Sequence, residues 1–297
     1  MHKYCKTKGD IVFDIFNNVS MILLCICFIY PFWDVIVLSF SSPKTASNLG
    51  LRIFPIDFSL DAYKEVLRSE VIYSGLYNSL FRTIIGTVLT TILTYFGAYG
   101  LSKKKLPFRN AITLFILFTM FFGGGLIPSY MLVKDLGLMG SRWSLILPGL
   151  TNAWFLIIAR NFIMELPESL EEAALLDGAS PFQMICKIML PLSLPIISVI
   201  ALWSAVGHWN SWFDAMIYCK VQGKLVLQLV LRMILIEKTP AGTGILPGGV
   251  LYASNTKTTP ETVKAASIAI TIFPIICTYP FLQKYFVKGI MIGALKG

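Results

Sequence analysis

From Val19 to Phe40 the chain is almost wholly apolar, with Asp34 as its one charged residue. A run of that length matches the roughly 20 residues a helix needs to cross a hydrocarbon core. Five more runs follow: Ile72 to Leu101, Ala111 to Val133, Trp143 to Met164, Met189 to Trp209 and Val263 to Phe286. In lipid every backbone N–H and C=O must be satisfied within the protein, so runs of this kind fold as helices. The expectation is an all-α polytopic bundle with six transmembrane helices. Composition agrees: 56% of residues are hydrophobic and 14% charged, against about a quarter charged in soluble domains.

The formal charge of +9 does not indicate nucleic acid. The basic residues are dispersed or flank apolar runs and form no aromatic-laced basic face. The first run, preceded by Lys3, Lys6 and Lys8, is longer than the hydrophobic segment of a secretory signal and has no small-residue cleavage site close behind it. It reads as an uncleaved first span. Six spans place both termini on one side. Lys103, Lys104, Lys105 and Arg109 have no acid among them and mark the cytoplasm, as do the lysines before the first run and Lys284, Lys288 and Lys296 after the last. Segments 41–71 and 210–262 then face outward and 165–188 inward. The outer segment holds GTGILPGG and a polar stretch, Asn255 to Thr259. Both a contact surface for an external partner and ordinary loop solvation account for that composition.

The inward segment is the most informative. Pro167 is placed to open a helix, and Glu168, Glu171 and Glu172 lie in its early turns, where acids favour the positive end of the dipole. Asp177-Gly178 ends it, because glycine adopts the left-handed conformation that reverses the chain. Ser180 and Pro181 suit the N-cap and first position of a second helix. Ala173 and Ala174 leave a low surface for another protein's backbone, and Glu172 offers a carboxylate to a basic partner. The residues alone fit two readings, a docking element or an amphipathic connector resting on headgroups.

Glu172-Ala173-Ala174, then Gly178, Ile188 and Leu190-Pro191 resemble the EAA loop of ABC importer permeases. The resemblance favours docking. It implies that 167–191 sits in a cleft of a separate ATPase, with Glu172 as the charged contact, Ala173 as the close-packing residue and Gly178 as the turn, flanked by Asp177. The ending Phe286 to Gly297 looks like the tail of carbohydrate permeases related to the maltose importer. By that resemblance Lys288, Gly289, Gly293 and Lys296 in segment 287–297 enter the ATPase interface. Phe121 to Tyr130 and Gly137 to Arg142 look closer still to permeases for complex oligosaccharides and polysaccharide fragments. The family implies a second homologous permease, two ATPase subunits that bind the ATP and Mg, an external sugar-binding protein, and a bacterial plasma membrane.

The chain lacks a phosphate-cradling GxxxxGK[ST] run, since Gly223-Lys224 is followed by leucine; it carries no nucleotide site or cofactor of its own. His2 and His208 are its only histidines, too far apart on the topology for an HExxH-type metal site. No Gly-x-Ser-x-Gly elbow occurs. Cys25 and Cys27 point to different faces of a helix and no CxxC pair exists, which leaves no disulfide or metal pattern. An ion-coupled secondary transporter or a membrane-embedded enzyme would want intramembrane acids, and the central runs hold almost none. Candidates for a sugar path are Asn78, Arg82, Asn152, Trp154, Trp203, His208 and Asn210. Trp209 and Trp212 also suit an interfacial belt. Arg82 can attract an acidic sugar, snorkel, or pair within the bundle. Gly123 to Gly125 are candidates for a bend.

Overall fold

The computed structural model describes residues 8–42, 50, 52–55, 57–219, 224–236 and 258–294, with side chains as far as 277. The chain divides into two units, Met1–Ser69 with Glu237–Ile272, and Glu70–Ile236 with Phe273–Gly297.

In the first unit, α1 (Lys8–Ser39) has only Val37 and Ser39 buried along its length. Its remaining surface, including Phe13, Phe16, Leu23, Phe28 and Phe32, is exposed hydrocarbon, as expected of a helix solvated by lipid. Pro31 lies inside it, which a membrane helix tolerates. Its end is fastened to the segment that follows. Ser41 bridges Phe58, Phe40 stacks on Phe58 at 5.5 Å and against Tyr63 at 4.8 Å, and Ser39 Oγ lies 2.7 Å from the Tyr63 hydroxyl. Tyr63 belongs to α2 (Asp61–Arg68), which buries Ala62 and Val66. Asp34 pairs with Arg52 at 3.6 Å.

The second unit is organised by α3 (Glu70–Ser102). Asn78, Arg82, Gly86, Thr90, Thr94, Ala98 and Leu101 are buried along it, a spacing of three or four residues that defines one face. That face packs mainly on α9 (Leu194–Asn210), α6 (Ala153–Met164) and α11 (Leu227–Ile236). Gly86, Thr90 and Ala98 keep it narrow enough for close helix approach. On α9 the buried residues Ile196, Ile200 and Ser204 repeat every four positions.

Three helices, Lys8–Ser39, Glu70–Ser102 and the described part of the last, Pro260–Cys277, are long and apolar enough to cross a membrane; three bent pairs raise the number to as many as six. The expected third, fourth and fifth spans are each broken by one of these bends, and Gly123 to Gly125, the candidates for a bend, lie at the first of them. The third is α4 (Arg109–Phe121) and α5 (Leu126–Asp135), set at 111°. Gly125 sits at φ +84, ψ 179, a region essentially open only to glycine. The fourth begins in 3₁₀ turns, Arg142–Leu145 and Leu147–Gly149, before a 50° bend into α6. The fifth starts at Leu194 rather than Met189. It is separated by Ser193 and a 78° bend from α8 (Pro181–Leu192), where Pro191 and Pro195 lack backbone donors. The short α10 (Phe213–Tyr218) follows α9. The last helix, α12 (Pro260–Ala294), is continuous. Lys288, Gly289 and Gly293 therefore lie within its helical backbone, whereas Lys296 and the stretch GTGILPGG through Lys257 fall outside the described residues.

Candidate docking element and the two ends of α3

Pro167 stands at the N-cap of α7 (Glu168–Leu176), with Glu168 and Glu171 in the first turn. At its other end Gly178 has φ +78. Gly178 N–H donates to Leu175 O at 3.1 Å and Ala179 N–H to Ala174 O at 2.9 Å, the paired bonds that close a helix around a left-handed glycine. Ser180 then caps α8 reciprocally: its Oγ accepts from Gln183 N–H at 3.3 Å while Gln183 Oε1 accepts from Ser180 N–H at 2.9 Å. The helix, turn and helix expected from sequence are present. Within α8, Met184–Met189 is wound as a π-helix, which the sequence reading lacked.

One side of this element is glued down and the other is bare. Ala174, Met184 and Met189 join Tyr95, Ala98, Ala159, Ile163, Ile196 and Ile200 in one buried cluster, with Ile188 and Leu190 packed against it. Glu172, Ala173, Asp177, Gly178 and Pro191 are exposed. Beside them Leu176 is 89% and Phe182 69% exposed. Of the two alanines expected to face a partner, Ala174 thus turns into the chain's own core.

The Ser102 end of α3 and the lysines just beyond it hold this element by polar contacts as well. Lys103 Nζ pairs with Glu171 and lies 3.9 Å from the Tyr99 ring centroid. Lys104 Nζ meets Glu168 at 2.5 Å; that hydrogen bond and the lysine's charge hold the Glu168 carboxyl below its usual pKa. Tyr95 OH donates to Ile185 O at 2.9 Å, and Arg160 Nε on α6 donates to Leu101 O at 3.2 Å.

At the other end of α3 lies a second polar cluster. The Arg82 guanidinium forms a two-pronged pair with Asp214, Nη1 to Oδ1 at 3.0 Å and Nη2 to Oδ2. It also donates to Ser211 O at 3.2 Å and, through Nε, to His208 Nδ1 at 3.4 Å. That last contact uses the Nδ1 lone pair and so places the imidazole proton on Nε2. Asn78 donates to Leu225 O at 2.8 Å and accepts from Arg142 Nε at 2.7 Å. Ser79 Oγ accepts from Leu227 N–H at 2.9 Å. Arg82 and Lys103 are separated by about 32 Å of helix at 1.5 Å per residue, close to the thickness of a hydrocarbon core. Neither pairing was legible in sequence. The signal available for the Arg82 pairing was a lone arginine in an apolar run, which calls for an acid.

The other path candidates are scattered. Asn152 caps α6, accepting from Phe155 N–H at 3.2 Å. Trp154 is exposed, Trp203 stacks on Phe155 at 5.9 Å, and Asn210 ends α9 exposed. Asn78, Arg82 and His208 are instead occupied with each other's neighbourhood. Trp209 is buried rather than standing in an interfacial belt, and Trp212 carries Arg232 over its ring at 3.8 Å. Among the described residues no group of three metal-ligating side chains occurs.

The described residues form an all-α polytopic membrane helix bundle with a short helical hairpin, α7 and α8, packed against its other helices. The chain belongs to the binding-protein-dependent transport system inner membrane component family, whose profile matches residues 9–292. It is an ABC importer permease of the carbohydrate transport family, a family that works with ATPase and binding-protein partners. It is 37% identical over 286 residues to the polygalacturonan/rhamnogalacturonan transport system permease protein YtcP of Bacillus subtilis, covering 96% of this chain and 99% of that one. It is 38% identical over 297 residues to protein LplC of the same organism, covering 100% and 99%. Among solved structures, a chain of a bacterial ABC transporter involved in import of the acidic polysaccharide alginate matches with TM-score 0.88 and 32% identity, over 96% of this chain and 100% of that chain.

Proposed function

We propose that this chain is one of two homologous permeases that move oligosaccharides inward across a bacterial plasma membrane by alternating access. Six spans, each bent pair counted as one, and two cytoplasmic termini fit this reading. Two ATPase subunits bind ATP and Mg and dock on α7, its glycine turn and α8, and an external binding protein delivers the sugar. The chain does no covalent chemistry. The observation that carries the proposal is the two-sided character of the α7–α8 hairpin. Its inner side is anchored by Ala174, Met184 and Met189, while Glu172, Ala173, Leu175, Leu176 and Phe182 stand exposed in one short stretch, a surface that a partner's cleft would cover. Lys288, Gly289, Gly293 and Lys296 are proposed as a second contact with the ATPase pair.

Oligosaccharide cargo is supported by the relatives, two of which are described as handling polygalacturonan/rhamnogalacturonan and alginate. Arg82 is neutralised by Asp214, so it is not a free cation for an acidic sugar. The accessible aromatic candidates are Trp154 and Trp203, with Asn152 and Asn210 for hydroxyl groups.

The test is purification of the tagged chain from its host in mild detergent, with ATP hydrolysis measured on neutral and uronate-containing oligosaccharides. A second permease and an ATPase should co-purify, and Glu172→Lys or Gly178→Pro should abolish sugar uptake while leaving the chain in the membrane. Normal uptake by both variants, or transport by a lone chain without ATP, would sink the proposal.

A further inference from the structure

The structure assigns to Lys103, and secondarily Lys104, the role of positioning residues that yoke α7 to α3, making α3 the lever that carries ATPase-driven motion to segment 211–227 on the opposite side of the membrane. This rests on the reading that the α7–α8 hairpin docks the ATPase.

The two helices of the hairpin are held differently. α8 is anchored by Met184 and Met189 and by the Tyr95 hydroxyl on Ile185 O. On α7 the one buried residue is Ala174, a single methyl group. Its position against α3 therefore depends on the ion pairs Lys103–Glu171 and Lys104–Glu168. The first is the stronger constraint. Its side chains are 32% and 24% exposed, against 71% and 68% for the second, and exposed pairs contribute little. The Tyr99 face adds a fixed seat for the Lys103 ammonium.

A load on α7 thus enters α3 at its inner end. α3 runs from Glu70 to Ser102 as one unbroken helix without a proline. The alternative route, from α8 into α9, crosses the 78° break at Ser193. At the far end of α3, Asn78, Ser79 and Arg82 grip Leu225, Leu227, Ser211 and Asp214. Movement of α7 is delivered to Ser211, Asp214, Leu225 and Leu227 through one continuous helix.

The experiment uses the whole transporter, with ATPase and binding protein, reconstituted in liposomes. Lys103→Glu should leave ATPase co-purification and hydrolysis intact but lower sugar moved per ATP by about tenfold, equivalent to about 1.4 kcal/mol. The swap Lys103→Glu with Glu171→Lys should restore most of it, and Lys104→Glu should cost less than Lys103→Glu. A second arm does not depend on tolerating charge reversal. With the native cysteines replaced, a short cross-link between Lys103→Cys and Glu171→Cys should leave transport running, because the two move together. Unchanged sugar per ATP in Lys103→Glu, failure of the swap to rescue, or arrest by the cross-link would each overturn the assignment. If wild type retains no ATPase, the docking reading falls and takes the lever with it. If wild type retains the ATPase and Glu172→Lys blocks uptake while Lys103→Glu is unimpaired, only the lever falls.

Discussion

Deleting Asp214 should damage the protein more than deleting Arg82, and deleting both should damage it less than either. The Arg82 side chain is 6% exposed and that of Asp214 25%. In Asp214→Ala the guanidinium stays buried with only the Ser211 carbonyl and His208 Nδ1 as acceptors, neither of which neutralises it; an orphaned buried charge costs about 3 kcal/mol or more. In Arg82→Ala the carboxylate keeps bonds from Ser211 Oγ at 3.1 Å and Ala215 N–H at 2.9 Å and has some access to solvent, so about 2 kcal/mol is expected. Arg82→Met with Asp214→Leu removes both charges and keeps volume, for which a change within about 1 kcal/mol is expected. With matched singles, Asp214→Leu and Arg82→Met, costing about as much as the alanine variants, the coupling is about 4 kcal/mol or more. Cys219, buried next to Ser144, is a local reporter. In a background with the other cysteines replaced, the temperature at which it reacts with a thiol dye in detergent measures the loss. Equal costs for the singles, or a double variant as unstable as their sum, would refute the reasoning.

Gly86→Ala should be destabilising although alanine favours a helix by about 1 kcal/mol. Its Cβ would lie 2.5 Å from His208 Nε2, and the ring is restrained on its other nitrogen by Arg82, so overpacking of about 1–3 kcal/mol is expected. The same thiol melt should show the penalty vanish in His208→Ala; a persistent penalty would count against the clash. Ser180→Ala removes the reciprocal cap of α8 and should cost about 1 kcal/mol locally, read as faster hydrogen exchange at Gln183 with α6 unaffected. For pH, the folded Glu168 carboxyl titrates below its ordinary value. The Lys104 contact is therefore fully present above the ordinary carboxylate pKa and is lost as pH falls through the lowered one. A spin label at the start of α7 should gain a little mobility over that acidic window in wild type, and a smaller gain is expected in a Lys104→Met variant, where only Lys103–Glu171 pairs α7.

What the sequence made legible was local chemistry. Gly178, Ser180 and Pro181 act through their own backbone within a few residues, and each stands where its chemistry requires. The first two spans were legible because α1 and α3 are each one unbroken helix, long and apolar enough to cross a membrane. Hydropathy located the third, fourth and fifth but is blind to the direction of the chain within them. The 111° bend at Gly125 had a compositional trace in the three glycines, and the 78° bend at Ser193 one in Pro191 and Pro195, which bracket it. Pairings over distance stayed hidden. Arg82 and Asp214 are 132 positions apart and Lys103 and Glu171 are 68 apart, and no periodicity relates them. The same blindness put Ala174 on the wrong side of α7: its neighbour Ala173 is chemically identical, and only packing against Tyr95 and Met189 distinguishes them.

The π-wound stretch Met184–Met189 has a consequence for how such hairpins diverge. Leu190 N–H bonds to Ile185 O, five residues back, so the turn stores one residue more than an α-helix would. Because the wide turn takes up that residue locally, its loss would let the turn relax to α geometry with the flanks close to their present rotation. The exposed edge at Leu176 and Phe182 would keep its aim while α9 stayed seated. A residue lost from a regular α-helical turn has no such slack and rotates everything upstream by about 100°, so Met184–Met189 is a place where a change of length need not become a change of orientation.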